Sequence, residues 1–199
     1  MWWPDTDLEQ PVRDDAWFEG VFRAHSTAIY RYFLRRAPAD DAQDLAADVL
    51  ATAWRRRADV PEGAELPWLY TTAGFVLANH RRKGRPVPVE HVPDEVDHDA
   101  DPAHLALEDG AAREALAALS PRDRRIILLH AWEGLDGEEL AAVLGIGRGG
   151  ADAALSRARA RLRQVWADLD AQDGAAPDPH SQNDDGGRAS AGSDATHAR

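Results

Sequence analysis

The sequence predicts an all-α protein made of two small helical domains joined by a flexible acidic linker, with a disordered C-terminal tail. Three observations carry that expectation. Apolar residues recur at helical spacing in each candidate element, no run alternates with the period of a strand, and one acidic, proline-bearing stretch without periodicity divides the chain. The 199 residues, 44% of them hydrophobic, suffice for compact helical cores. The expected divisions are an arm over 1–15, a helical domain over 16–84, a linker over 85–102, a second helical domain over 103–168 and a tail over 169–199.

The first helix is set by Phe18, Phe22, His25, Ile29 and Phe33, and Pro38 ends it. Asp40 is expected to cap a second helix, with Gln43 reaching back, and Leu45, Val49, Leu50, Ala53 and Trp54 form its apolar side. A loop with Pro61, Gly63 and Pro67 leads to a third helix, "WLYTTAGFVLANHRRK", ending by Gly84, with Pro67 in its first turn. In the second domain a helix is expected through Leu105, Ala112, Leu116 and Leu119. "SPRD" then supplies a cap at Ser120 and a first-turn proline at Pro121, and Gly134 stops the helix that follows. "DGEE" starts a short helix with Asp136 capping and Glu139 reciprocal, and Gly145 closes it. The last helix is expected from about Gly149 to Ala167. Ala141 in the middle of one helix and Gly145 in the turn suit the close approach of a helix–turn–helix; an ordinary helical hairpin fits this segment as well.

Lys and Arg number 23 against 35 Asp and Glu, a net charge of −12. The distribution matters more than the total. Pro86 to Gly110 holds no cation, and nearly all positive charge falls in Arg23 to Arg85 and Arg113 to Arg163, so nucleic-acid binding is permitted by each domain. Lys83 is the sole lysine, and arginine favours bidentate contacts to phosphate or carboxylate. With no cysteine, a disulfide framework, a thiolate metal site and a thiol nucleophile are excluded. No apolar run approaches the ~20 residues of a membrane span, and "MWWPDTDLEQPVRDD" lacks the layout of a signal peptide, so a cytoplasmic location is expected. No Gly-rich phosphate loop after a strand and no serine elbow is present, and the chain is not expected to be an enzyme. Glu95, His98, Asp99 and Asp101 cluster in the linker, with His104 just beyond it, and a linker is no rigid frame for a metal.

"DAQDLAADVLATAWRRR", followed by "WLYTTAGFVLANHRRK" and, after the linker, by "LAAVLGIGRGGADAALSRARARLR", resembles the extracytoplasmic-function sigma factors of the sigma-70 family. Trp17 to Lys83 is similar to their region 2 and Ala111 to Trp166 to their region 4. The resemblance implies promoter-specific transcription initiation with core RNA polymerase and promoter DNA as partners, an anti-sigma factor as antagonist, and no cofactor. It implies polymerase docking through the acidic pattern Asp41, Asp44, Leu45 and Asp48, with Leu50 adding apolar area. A solvated acidic face is the plainer reading of the same residues.

The resemblance assigns the loop Ala58 to Leu66 to capture of a flipped base of the minus-ten element. Arg55, Arg56 and Arg57 are a candidate backbone track, and Trp54 and Trp68 are either pocket walls or core. Asn79, His80, Arg81, Arg82 and Lys83 fall beside the minus-ten duplex, although cations also suit a helix C-terminus. Gly74 and Phe75 stand where many members carry basic and polar residues. In the last helix, minus-thirty-five contacts align with Asp152, Ala153, Ser156 and Arg157, flanked by Arg148 and Arg159. Asp152 replaces a commonly basic residue, Ala153 and Ala154 replace polar or basic ones, and Gly147 and Gly150 replace capping Ser or Thr. That face is therefore expected to hold backbone rather than read bases. Two other readings remain open: a sigma-like regulator that binds a partner with weak promoter selectivity, and a conventional helix–turn–helix regulator.

Overall fold

The computed structural model describes residues 13–84, 105 and 107–174. The expected linker, its acidic His-bearing cluster, most of the arm and the tail beyond Gly174 lie outside the described residues. Among those described, the regular structure is seven α-helices and one 3-10 turn, with no strand.

Three helices build the first unit: α1 (Asp15–Leu34), α2 (Ala39–Arg55) and α3 (Glu65–Gly84), with the 3-10 turn Arg57–Asp59 between the last two. The Asp14 carboxylate caps α1 by accepting the Trp17 amide at 3.0 Å. α1 lies against α2 and α3, and Ile29, Phe33, Val49, Leu69 and Leu77 are almost wholly removed from water. Two expectations need correction. Phe22 is 50% exposed because Val21 takes the inward position of that turn. Asp40 caps nothing, since α2 starts at Ala39 behind Pro38; Asp40 and Asp41 sit in the first turn, where carboxylates favour the helix dipole.

Four helices build the second unit: α4 (Gly110–Ala118), α5 (Pro121–Glu133), α6 (Gly137–Leu144) and α7 (Arg148–Gly174). α4, expected to run through Leu105, begins at Gly110 because the Asp109 carboxylate accepts the amides of Ala111 (2.9 Å) and Ala112 (3.3 Å); Leu105 is buried outside the helix. Ser120 and Pro121 open α5 as expected, with Ser120 Oγ accepting the Asp123 amide at 3.1 Å. Gly134 and Gly145 end α5 and α6 in the left-handed conformation, φ 72° and 66°, which glycine adopts without a Cβ penalty. Asp136 stands at the N-cap of α6, but its side chain makes no capping bond. Gly137 follows it at φ 47°, away from the helical geometry a capping box needs. α7 continues seven residues past the expected end at Ala167, since no glycine or proline interrupts it before Gly174.

α5, α6 and α4 all pack on α7, and Leu140, Ala151 and Ala158 lie at the centre of that packing. The two units do not stand apart. α3 lies against α6, the end of α1 meets the end of α5, and one buried cluster runs through both units. Periodicity identifies an apolar face but not its partner. α3 buries Leu69, Ala73 and Leu77 together with Tyr70 and Gly74, a broad face that also serves the second unit.

Candidate functional site

α2 carries its carboxylates on one side and its core on the other. Asp44 and Asp48 are exposed, and Asp41 is half-buried beside His80 of α3, with Nε2 at 3.2 Å from a carboxylate oxygen. Leu45, placed in the docking pattern with the aspartates, and Leu50, expected to add apolar docking area, are both 6% exposed and belong to the core. The helical period forces this: with Ala42, Ala46, Val49 and Ala53 they form the buried side of α2, which leaves the three aspartates outside.

At the end of α2 the tryptophans are neither solvent-bare nor fully enclosed. Trp54 is half-buried against Phe18, ring centroids 5.3 Å apart, and the Arg57 guanidinium lies 4.4 Å from its ring centre. Arg57 is thereby folded back, donating to the Trp54 carbonyl at 3.1 Å. Arg55 and Arg56 stay exposed, Arg55 bonded to Thr52 at 2.9 Å and Arg56 to Asp59 at 2.9 Å. Trp68 is half-buried, with the Arg56 guanidinium 5.9 Å from its ring. Arg13 ties the loop down by donating to the carbonyls of Arg57, at 2.7 Å, and Val60, an anchor with no motif to announce it.

The end of α3 presents Asn79 and Arg82 to solvent, joined by a 2.8 Å hydrogen bond. His80 is held by Asp41, and Arg81 donates to the Arg36 carbonyl at 3.1 Å. Phe75 is 52% exposed, whereas Gly74 is buried and offers no side chain to a ligand.

On α7, Ala151, Ala154, Leu155 and Ala158 face the core, so the alanine at 154, unlike that at 153, is explained by packing rather than by a depleted outward face. Arg148, Asp152, Ala153, Ser156 and Arg157 are all exposed, on the opposite side. Arg148 lies 3.8 Å from Glu138 and 3.9 Å from Asp152, open contacts that water screens heavily. The remaining cations divide. Arg161 grips the buried Asp123 carboxylate with contacts of 2.6 and 2.7 Å, Arg159 reaches the His130 ring, and Arg157 is exposed without an ion pair among the described residues.

Burial perturbs three groups of the first unit, raising Tyr32 as well as acting on the two that follow. Desolvation holds His25 below its ordinary value, opposed by the Glu65 charge, and desolvation together with Glu133 pushes Tyr70 well up. Among the described residues no group of three acidic or histidine side chains is placed to hold a metal, and no helix is long and apolar enough to cross a membrane.

Residues 109–162 match the family model for sigma-70, region 4, which spans α4 to α7 up to Leu162. The chain is 34% identical over 164 residues to the RNA polymerase sigma-E factor of Streptomyces coelicolor, covering 78% of this chain and 90% of that relative. It is 29% identical to the ECF RNA polymerase sigma factor SigE of Mycolicibacterium smegmatis over 76% of this chain and 62% of that protein. The chain belongs to the extracytoplasmic-function sigma factors. A solved structure with the same architecture is the sigma factor RpoE of Bartonella quintana in complex with the anti-sigma factor NepR, 26% identical, TM-score 0.51, covering 75% of this chain and 96% of that one. The helix–turn–helix of this sigma factor is thus α6 and α7, and the hairpin alternative falls away.

Proposed function

We propose that this sigma factor docks on core RNA polymerase through Asp41, Asp44 and Asp48 and engages the minus-ten element through the end of α2, the loop after it and the end of α3. It then rests α7 on minus-thirty-five DNA. The observation that carries this reading is the pairing of a carboxylate row on one unit, exposed at Asp44 and Asp48 and half-buried at Asp41, with an exposed arginine-bearing recognition helix on the other. Carboxylates that keep their water cost little to desolvate at the rim of an interface and steer a basic partner into register. Arg55, Arg56 and Arg82 supply cations for the non-template strand, and the half-buried Trp54 and Trp68 offer ring edges beside them. On α7, Arg148 and Arg157 neutralise phosphates, while Ala153 and Ser156 leave little base discrimination.

The polymerase performs the chemistry, and the chain supplies address and strand opening in the cytoplasm without a cofactor of its own. An antagonist belongs among the partners, as the Bartonella quintana neighbour was solved with an anti-sigma factor. The test is transcription by core polymerase with the purified chain, read by mapping transcript starts. Defined starts at a recurring promoter sequence are expected, and Asp44→Lys with Asp48→Lys should weaken the polymerase complex by about tenfold or more. Binding to promoter fragments equally well with and without polymerase would instead mark a conventional helix–turn–helix regulator.

A further inference from the structure

The place where the two units meet is built around a single carboxylate. Glu133, the last residue of α5, has 2% of its side chain exposed. Among the described residues it accepts from three side chains of the other unit: Arg36 at 2.7 Å to one oxygen, and Arg35 at 3.2 Å with the Tyr70 hydroxyl at 3.3 Å to the other. Arg36 is itself 3% exposed. It lies 3.9 Å from the Tyr32 ring centre and 5.0 Å from that of Trp132, while Arg35 also donates to the Trp132 carbonyl at 3.0 Å. These groups belong to no docking or promoter element described above.

We propose that Glu133 with Arg35, Arg36 and Tyr70 is a latch that keeps the free sigma factor closed and opens when both promoter elements are engaged. The promoter step rests on the function proposed above. A body of this size has a radius of gyration of roughly 14 Å and is about 40 Å across. Elements centred near minus ten and minus thirty-five are separated by about 25 base pairs, about 85 Å of duplex at ~3.4 Å per pair. A closed molecule cannot reach both.

A latch made of charge suits a reversible contact. A buried ion pair regains hydration when it separates, so its net hold is small compared with its geometric selectivity, whereas removing one partner alone leaves an uncompensated charge that strongly disfavours the closed form. Opening also bares Arg35 and Arg36 beside Arg81, whose guanidinium bonds the Arg36 carbonyl, and so adds cations next to the arginine-bearing end of α3.

The chain has no cysteine, so Ala24→Cys on α1 and Glu114→Cys on α4, both at exposed positions, give a specific dye pair for single-molecule energy transfer on the full chain. The parent pair is expected to populate one high-transfer state, and core polymerase with promoter DNA to move it to low transfer. Glu133→Gln should raise the low-transfer share of the free protein about tenfold or more. Arg36→Met, which keeps the apolar stem, should act in the same direction, and Tyr70→Phe more weakly. Circular dichroism identifies a variant that has lost its helices, in which case the other variants decide. A free parent already in low transfer, or folded variants with the parent distribution, overturns the latch. If the variants open but polymerase and promoter leave the parent closed, the latch stands and the promoter function fails.

Discussion

The two units reach stability by different means. The first relies on large side chains: Phe33, Ile29, Leu69 and Leu77 fill the space among three helices of 17 to 20 residues. The second has an 8-residue and a 9-residue helix, a core of mostly leucine, isoleucine and alanine, and charged groups in the interior. Arg124 is 8% exposed and donates to the carbonyls of Leu116 at 2.7 Å, Leu119 at 2.9 Å and Ala117 at 3.1 Å, closing the C-terminal end of α4. Asp123 beside it takes both Arg161 and the Ser120 hydroxyl. Short helices have a high ratio of unsatisfied terminal groups to internal bonds, so a buried end needs a dedicated partner. Here that partner is an arginine; in the first unit Arg36 likewise donates to the Tyr32 carbonyl at 3.1 Å near the end of α1, but larger apolar side chains fill the core.

The largest expected effect therefore lies in the first unit. Phe33→Ala removes a fully buried ring and should cost about 3–5 kcal/mol of unfolding free energy, measured by urea titration with far-ultraviolet dichroism. Next comes Arg124→Met, which keeps most of the volume but takes the guanidinium from three carbonyls, of which Leu116 keeps the Leu119 amide at 3.3 Å; about 2–4 kcal/mol is expected. A loss below about 0.5 kcal/mol would show that the end of α4 is satisfied by water and that the contrast between the units is wrong. Arg161→Ala should cost less, about 1 kcal/mol, since that side chain is 57% exposed and Asp123 keeps its serine donor.

The helices were legible because their signals are local. Seven apolar-periodic segments, the Ser120 cap and the glycine stops at 134 and 145 all depend on residues within one or two turns of each other. The site was half legible for the same reason. Helical spacing put Asp41, Asp44 and Asp48 on one side, but a residue's membership in a docking pattern does not reveal that its side chain points inward, as those of Leu45 and Leu50 do. What stayed hidden is long-range. Arg13 reaches 47 residues to Val60, and Arg36 reaches 97 to Glu133. An arginine next to another arginine looks the same in sequence whether it is destined for phosphate, for a helix end or for a carboxylate in another unit.

The outward face of α7 offers smaller effects, read on DNA rather than on stability. Arg157→Ala should lower holoenzyme affinity for a promoter fragment a few-fold and reduce the slope of log affinity against log salt by about 1, the signature of one lost phosphate contact. Asp152→Arg removes a charge that repels phosphate and competes for Arg148, so affinity should rise. Were selective transcription abolished while affinity rose, Asp152 would be reading a base, and the poverty of this face in base contacts would have been misjudged.

The smallest expected effect is a pH dependence in the first unit. Burial lowers the His25 pKa from 6.5, with the Glu65 charge only partly opposing it. The folded chain therefore binds a proton at His25 less readily than the unfolded chain. Between the folded value and 6.5 the unfolded state holds more protons, and stability must rise with pH across that window. The contribution is complete above 6.5 and disappears as pH falls toward the folded value. Thermal unfolding followed from pH 7.5 to 5.5 should show the midpoint falling for the parent and falling less for His25→Gln, which keeps a polar side chain of similar reach but does not titrate. Equal slopes for the two proteins would mean that His25 is as well hydrated in the folded first unit as in the unfolded chain, and that burial there does not reach its ring.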